Sequence, residues 1–222
     1  MPQTNLQASA GLTSLSEHAS KEFLRRWGIP VTREALAHTP AEAAAAARQI
    51  GFPVAVKASG AAFAHKTELG LVELDLRDEG EVEAACARLA SRAEGLAEFL
   101  VQEMVQGRRE LIAGLIRDPQ YGPAVMLGLG GVLAEALGDA VFRVVPLSVD
   151  DAMEMMDDLR GRRLLGEFRG EPAVDRQALA GLLVALGEIG LAEPGVAEID
   201  LNPVKLAQGR PVAVDALVVR VA

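Results

Sequence analysis

The last stretch of the chain constrains the fold most. Residues 196–220, VAEIDLNPVKLAQGRPVAVDALVVR, alternate apolar and polar residues on both sides of Gln208-Gly209 and read as a hairpin. With a two-residue turn there, the numbers of paired residues sum to 417, so Asn202 lies directly opposite Asp215. Asp200 projects on the same face as Asn202, because side chains on a strand repeat every second residue. Directly opposed residues hold their Cβ atoms roughly 4.5–5.5 Å apart. Three oxygen-bearing side chains therefore converge among the apolar flanks Ile199, Leu201, Val214 and Val218. Two carboxylates so close call for a cation or a proton between them. Hard oxygen ligands with open positions suit Mg²⁺ carrying phosphates; ordinary polar residues on a solvent face would leave the same pattern. Pro203 has no N–H to give the ladder, so a bulge there would shift the pairing.

The rest of the chain repeats the mixture of hairpins and helices. Leu15, Ala19, Phe23, Leu24 and Trp27 have helical spacing, with Ser14 or Ser16 as cap and Gly28 as stop. A strand follows near 31–36. Thr39-Pro40 opens an alanine-rich helix that Gly51 ends. PVAVKA (53–58), 71–76, 99–105, ELIAGLIRD (110–118) and PAVMLGLGG (123–131) read as strands, and 79–93, 149–159 and 175–192 as helices. VLAEALGDAVFRVVPL adds a hairpin turning at Gly138-Asp139. So many hairpins exclude a purely parallel doubly wound sheet and predict an α+β chain. The expected organisation is a loose leader at 1–13, an N-terminal lobe at 14–105 with a leading helix, and a C-terminal lobe at 106–222.

Composition narrows the class. Half of the residues are hydrophobic, which rules out a disordered polyanion, and no apolar run is long enough to span a membrane. A net charge of −9 argues against non-specific nucleic-acid binding. The N-terminus has no signal-peptide pattern, and the lone Cys86 cannot form an internal disulfide; both fit a cytoplasmic protein.

Several residues could carry chemistry. Lys57 ends an apolar strand, where its charge must reach solvent or meet an anion such as phosphate. His65, in the loop SGAAFAHKTELG, could act as base, ligand or phosphoryl acceptor, or sit idle on the surface. Glu103 and Glu110 flank a crossing between the lobes, where they could hold sugar hydroxyls or line a wet hinge. Gly128, Gly130 and Gly131 suit either a backbone cradle for anions or an ordinary turn. Arg143 alternates with Phe142 and Val144 and is expected to face whatever the Asn202 hairpin faces. Cys86 reads as packing, and His18 and His38 as structural. P-loop, dinucleotide and zincin motifs are missing.

As a collinear series, LSEHASKEFLRRWGIPVTRE, FPVAVKAS, AHKTELG, VQEMVQGRRELIAGLIRDPQYGP, VMLGLGG, EIDLNPV and VAVDA resemble the ATP-grasp fold. Within it the series is similar to the nucleotide-binding β subunits of ADP-forming acetate–CoA ligases, and the resemblance covers all but the leader.

The resemblance implies two lobes gripping ATP. Lys57 matches the phosphate-binding lysine, Glu103 the acid at the adenine with Met104 and Val105 lining that slot, and Glu110 the ribose acid. Asn202 and Asp215 match Mg²⁺ ligands, and Asp200 sits where other branches of the fold place an acidic one. His65 matches a second phosphohistidine station near ADP, serving acyl-CoA + ADP + phosphate ⇌ carboxylate + ATP + CoA. The first station belongs to a CoA-binding α subunit, so the resemblance implies an α2β2 partner, with the GLGG loop near that interface. Gly70-Leu71 departs from the usual Gly-Gly and puts phosphate binding at that loop in question. Two other readings stay open: a carboxylate–amine ligase on the same fold, and a non-catalytic ATP-sensing subunit.

Overall fold

A computed structural model describes residues 11–60, 70–131 and 138–221. The first half runs β1 (Leu12–Ser14), α1 (Glu17–Arg26), β2 (Glu34–Ala37), α2 (Pro40–Ile50), β3 (Val54–Ser59), β4 (Val72–Leu76), α3 (Glu79–Arg92) and β5 (Glu98–Glu103). Then follow β6 (Glu110–Asp118), β7 (Gly122–Leu129), β8 (Ala140–Val144), α4 (Val149–Asp158), a 3-10 turn at Arg162–Leu165, α5 (Arg176–Ala192), β9 (Val196–Ala207), β10 (Arg210–Ala213) and β11 (Leu217–Val221). Every pairing between these strands is antiparallel, so the chain is α+β as expected. Leu12 and Thr13, expected in the leader, instead lie in β1, where Leu12 pairs with Val221 and Thr13 with Arg220. Edge pairing supplies partners for backbone groups that a loose leader would leave to water. Among the described residues, no helix is long and apolar enough to cross a membrane.

The chain forms two compact units. The smaller takes Ser16–Ala19 and Thr32–Met104; the larger takes Met1–Leu15, Ser20–Val31 and Val105–Ala222. The crossing thus falls between Met104 and Val105, and α1 gives most of its length to the larger unit.

In the smaller unit the strand order is β2-β5-β3-β4, with α2 and α3 packed on the sheet and on each other. Thr39 caps α2 by accepting the Glu42 N–H at 3.2 Å, Pro40 occupies its first turn, and Gly51 ends it. The alanine run supplies the packing face: Ala43, Ala44 and Ala47 are buried, and small side chains let the helix approach closely. Val54, Val56 and Ala58 of β3 join Phe99 and Val101 in the core under the helices. By alternation Ala55, Lys57 and Ser59 point to the other face. Leu71, the departure from Gly-Gly, is 3 % exposed and packs into this core. Cys86 is also buried there, and desolvation pushes its thiol up to about 11.

In the larger unit the order is β1-β11-β9-β6-β7-β8, with β10 also on β9. Asp175 caps α5 through the Ala178 N–H, and Arg117 donates to the carbonyls of Gly190 and Glu193 at its other end. α5 packs on β6, β7 and β10, and α4 on β8 and α5. Leu115, Val125, Ile199 and Val218 share the core with these helices and stand side by side across four strands. The next row, Leu217, Asp200, Gly114, Met126 and Phe142, faces the other way.

Candidate functional site

The hairpin register follows the arithmetic. Arg210 pairs with Ala207 and Ala213 with Val204; past the bend, Leu217 pairs with Asp200 and Val219 with Glu198. All of these sum to 417. Gln208 and Gly209 both have positive φ, 52° and 82°, the conformation that the tightest two-residue turn requires. The Asn202-Pro203 bond is cis, and the bulge expected there falls on the opposite side of β9. Against β6 the register shifts between Leu111/Val204 and Ala113/Leu201, so Asn202 and Pro203 together face Ile112.

Burial follows this break: Leu201 and Val204 are core residues, while Asn202 is exposed and Pro203 partly so. Asp200 therefore lies on the face away from the helices and Asn202 is exposed near it, while the partly buried Asp215 sits in the bend between β10 and β11. The Asp215 carboxylate accepts the Ala216 N–H at 2.8 Å, which orients it. Among the described residues, no three His, Cys, Asp or Glu side chains group to hold a metal. The donor set still fits magnesium: two carboxylates and an amide offer only hard oxygen, with remaining positions for phosphate and water.

Glu110 begins β6 opposite Lys205, whose Nζ lies 3.5 Å from its carboxylate. The glycines pack beside it. Gly130 donates its N–H to the Glu110 carbonyl at 2.8 Å, and a Cβ on Gly130 would come within 3.0 Å of the same backbone. On Gly128 it would meet Ala140 and Asp139 at 3.3 Å, and Gly131 is left-handed. Close packing therefore accounts for Gly128 and Gly130. Arg143 is corrected by the register: it stands opposite Val125, on the helix-covered face, and pairs with Asp158 of α4. It does not share a face with Asn202. Phe142 and Val144 take the open face instead, 46 % and 49 % exposed.

In the smaller unit, Lys57 stands between Val72 and Leu100 with only 8 % of its side chain exposed. Its Nζ donates to Glu17 Oε1 at 2.6 Å, and the Glu17 side chain is 5 % exposed. Removing one partner of so buried a pair costs about 3–5 kcal/mol. The next residue, His18, holds Glu34 of β2 at 2.9 Å through Nδ1. Glu17 was missed by sequence reasoning. Its signal is a buried stripe on α1, Glu17, Ser20, Lys21 and Leu24, at helical spacing but mostly polar.

Glu103 ends β5 opposite Val54, and its carboxylate accepts the Arg33 N–H at 2.8 Å and the Arg33 Nε–H at 2.7 Å. Met104 donates its N–H to the Pro53 carbonyl at 3.3 Å, and Val105 opens the last stretch of the larger unit. His65 lies outside the described residues. Among the described residues, a cavity of about 360 Å³ lined by Phe23, Arg26, Trp27, Glu193 and Arg220 includes none of these candidates.

Two partly buried carboxylates elsewhere respond to their surroundings. Desolvation holds the Glu198 carboxyl above the usual carboxylate range, while Arg88 and Arg92 draw Glu73 below it.

An ATP-grasp domain model matches residues 7–219. The chain is 37% identical over 216 residues to the acetate–CoA ligase [ADP-forming] I subunit beta of Pyrococcus furiosus, covering 95% of this chain and 93% of that one. It is 38% identical over 198 residues to acetate–CoA ligase [ADP-forming] I of Archaeoglobus fulgidus, covering 86% of this chain but only 29% of that longer one. A solved structure of acetyl-coenzyme A synthetase 1 of Ca. Korarchaeum cryptofilum matches with a TM-score of 0.82 at 42% identity, over 93% of this chain and 92% of that one. That structure holds coenzyme A and Mg-AMPPCP, with a phosphohistidine segment pointing towards the nucleotide-binding site.

Proposed function

For a chain that belongs to the ATP-grasp family, among the β subunits of ADP-forming acetate–CoA ligases, we propose a division of labour between its residues and a partner. The partner is a CoA-binding α subunit, and the joint reaction is acyl-CoA + ADP + phosphate ⇌ carboxylate + ATP + CoA. The observation that carries the proposal is the 37% identity that runs through nearly all of both chains.

In this reading, phosphate displaces CoA from the acyl-CoA, and the acyl phosphate passes its phosphoryl group to a histidine of the partner, releasing carboxylate. His65 takes the group as a neutral nucleophile and yields it to the β-phosphate oxygen of ADP. Phosphoryl transfer of this kind needs placement and charge cancellation more than covalent machinery. Lys57 supplies a fixed positive charge for phosphate oxygens, Glu103 with Met104 and Val105 the adenine contacts, and Glu110 the ribose contact. Asp200, Asn202 and Asp215 would hold magnesium, which when bound neutralises phosphate charge.

Leu71 argues for this reading over a nucleotide sensor that has lost turnover. Its side chain is taken up by the core and its carbonyl accepts the Ala58 N–H at 3.0 Å, so the residue that replaces the second glycine is used in packing. The test is reconstitution. Mixed with a CoA-binding α subunit, acetyl-CoA, ADP, phosphate and Mg²⁺, the chain should form ATP, and neither subunit alone should. Persistent failure with α subunits that are active alongside other β chains would reject the assignment.

A further inference from the structure

Resting on the nucleotide reading of Lys57, we propose that Glu17 is its positioning residue: the first turn of α1 holds the tip of the phosphate-binding lysine in its working place. Strand β3 fixes where the lysine leaves the backbone, but four side-chain torsions separate that point from the ammonium. The 2.6 Å bond to Glu17 Oε1 fixes the other end, within a pair whose side chains are only 8% and 5% exposed. A lysine ammonium has three donors, and the bond to Glu17 takes one of them. Glu17 is itself well placed, since a carboxylate in the first turn of a helix is favoured by the N-terminal dipole. The neighbouring His18–Glu34 contact at 2.9 Å ties the same turn to β2, so the carboxylate approaches Lys57 from a fixed support.

A double-mutant cycle on the full chain separates positioning from mere folding. Mg-ADP affinity is measured by calorimetry for wild type, Lys57→Ala, Glu17→Gln, Glu17→Asp and Glu17→Gln/Lys57→Ala, with thermal unfolding followed in parallel. Glu17→Gln should weaken binding about tenfold in the native background and less than about twofold when Lys57 is already alanine. Glu17→Asp, which keeps the charge but withdraws it by one methylene, should fall between wild type and Glu17→Gln and covers the case in which the glutamine variant fails to fold. Equal losses in both backgrounds, or no loss from either Glu17 variant while Lys57→Ala weakens binding, would overturn the positioning role alone. Unchanged affinity in Lys57→Ala would instead remove the nucleotide reading beneath it.

Discussion

Val214 donates its backbone N–H to the Pro203 carbonyl at 2.9 Å, and this bond keeps the β9–β10 register continuous across a residue that can donate none. The same numbering then resumes in β11, where Leu217 meets Asp200. Asn202 and Asp215 lie between these two anchored stretches. Removing the Asp215 oxygens should therefore cost ligand binding rather than fold. Asp215→Ala is expected to weaken Mg-ADP binding by about 10- to 100-fold, the loss of an ionised contact worth roughly 1.5–3 kcal/mol. Isothermal titration with and without Mg²⁺ checks it; equal loss without metal would remove the ligand assignment.

Gly114 sits beside Asp200 for a steric reason. A Cβ there would stand 2.6 Å from the Ile199 carbonyl oxygen, backbone that cannot yield cheaply. Gly114→Ala should destabilise the chain by about 1–3 kcal/mol, read as a lower midpoint in urea with little change in slope.

The hairpin was legible because a two-residue turn pins every later pair by counting, and the side-chain period of two then assigns faces. Arg143 was not. Its parity depends on the β7–β8 pairing, and local alternation with Phe142 and Val144 does not say which of the two sets faces the helices. Asp158 settles the matter by drawing the guanidinium to α4. Glu17 escaped for a related reason: helical spacing identifies a buried stripe, but it cannot say that a carboxylate 40 positions before a lysine will be its counter-ion. The α+β class and most elements followed from hydrophobic period and caps, since those signals are local. The Gly130 packing was invisible, because it depends on where another strand's backbone passes.

Cys86 offers a probe of opening. With its thiol pushed up to about 11 by burial, only about one part in a thousand is thiolate at pH 8. A thiol reagent should leave native chain unmodified over the time in which urea-unfolded chain reacts fully. Rapid native labelling would contradict the burial of Cys86 on the inner face of α3.

Glu198 predicts a pH effect. Its folded-state pKa is raised by desolvation, so the folded chain binds its proton more tightly than the unfolded chain does. That contribution is present in acid and is lost as pH rises through the folded pKa. Glu198→Gln should raise Tm at pH 7.5 by roughly 1–2 °C, with the gain vanishing in acid. A gain that grows towards low pH would have the wrong sign.

The phosphoryl relay rests on His65, and labelling reads it most directly. The chain is incubated with its α partner, Mg²⁺ and ATP labelled at the γ-phosphate, and the protein-bound label is tested for stability in acid and in base. Acid-labile, base-stable label is expected on this chain in the wild type and should be absent from it in His65→Ala. Undiminished histidine-type label on the His65→Ala chain, or no label on either subunit while ATP is made, would contradict the relay.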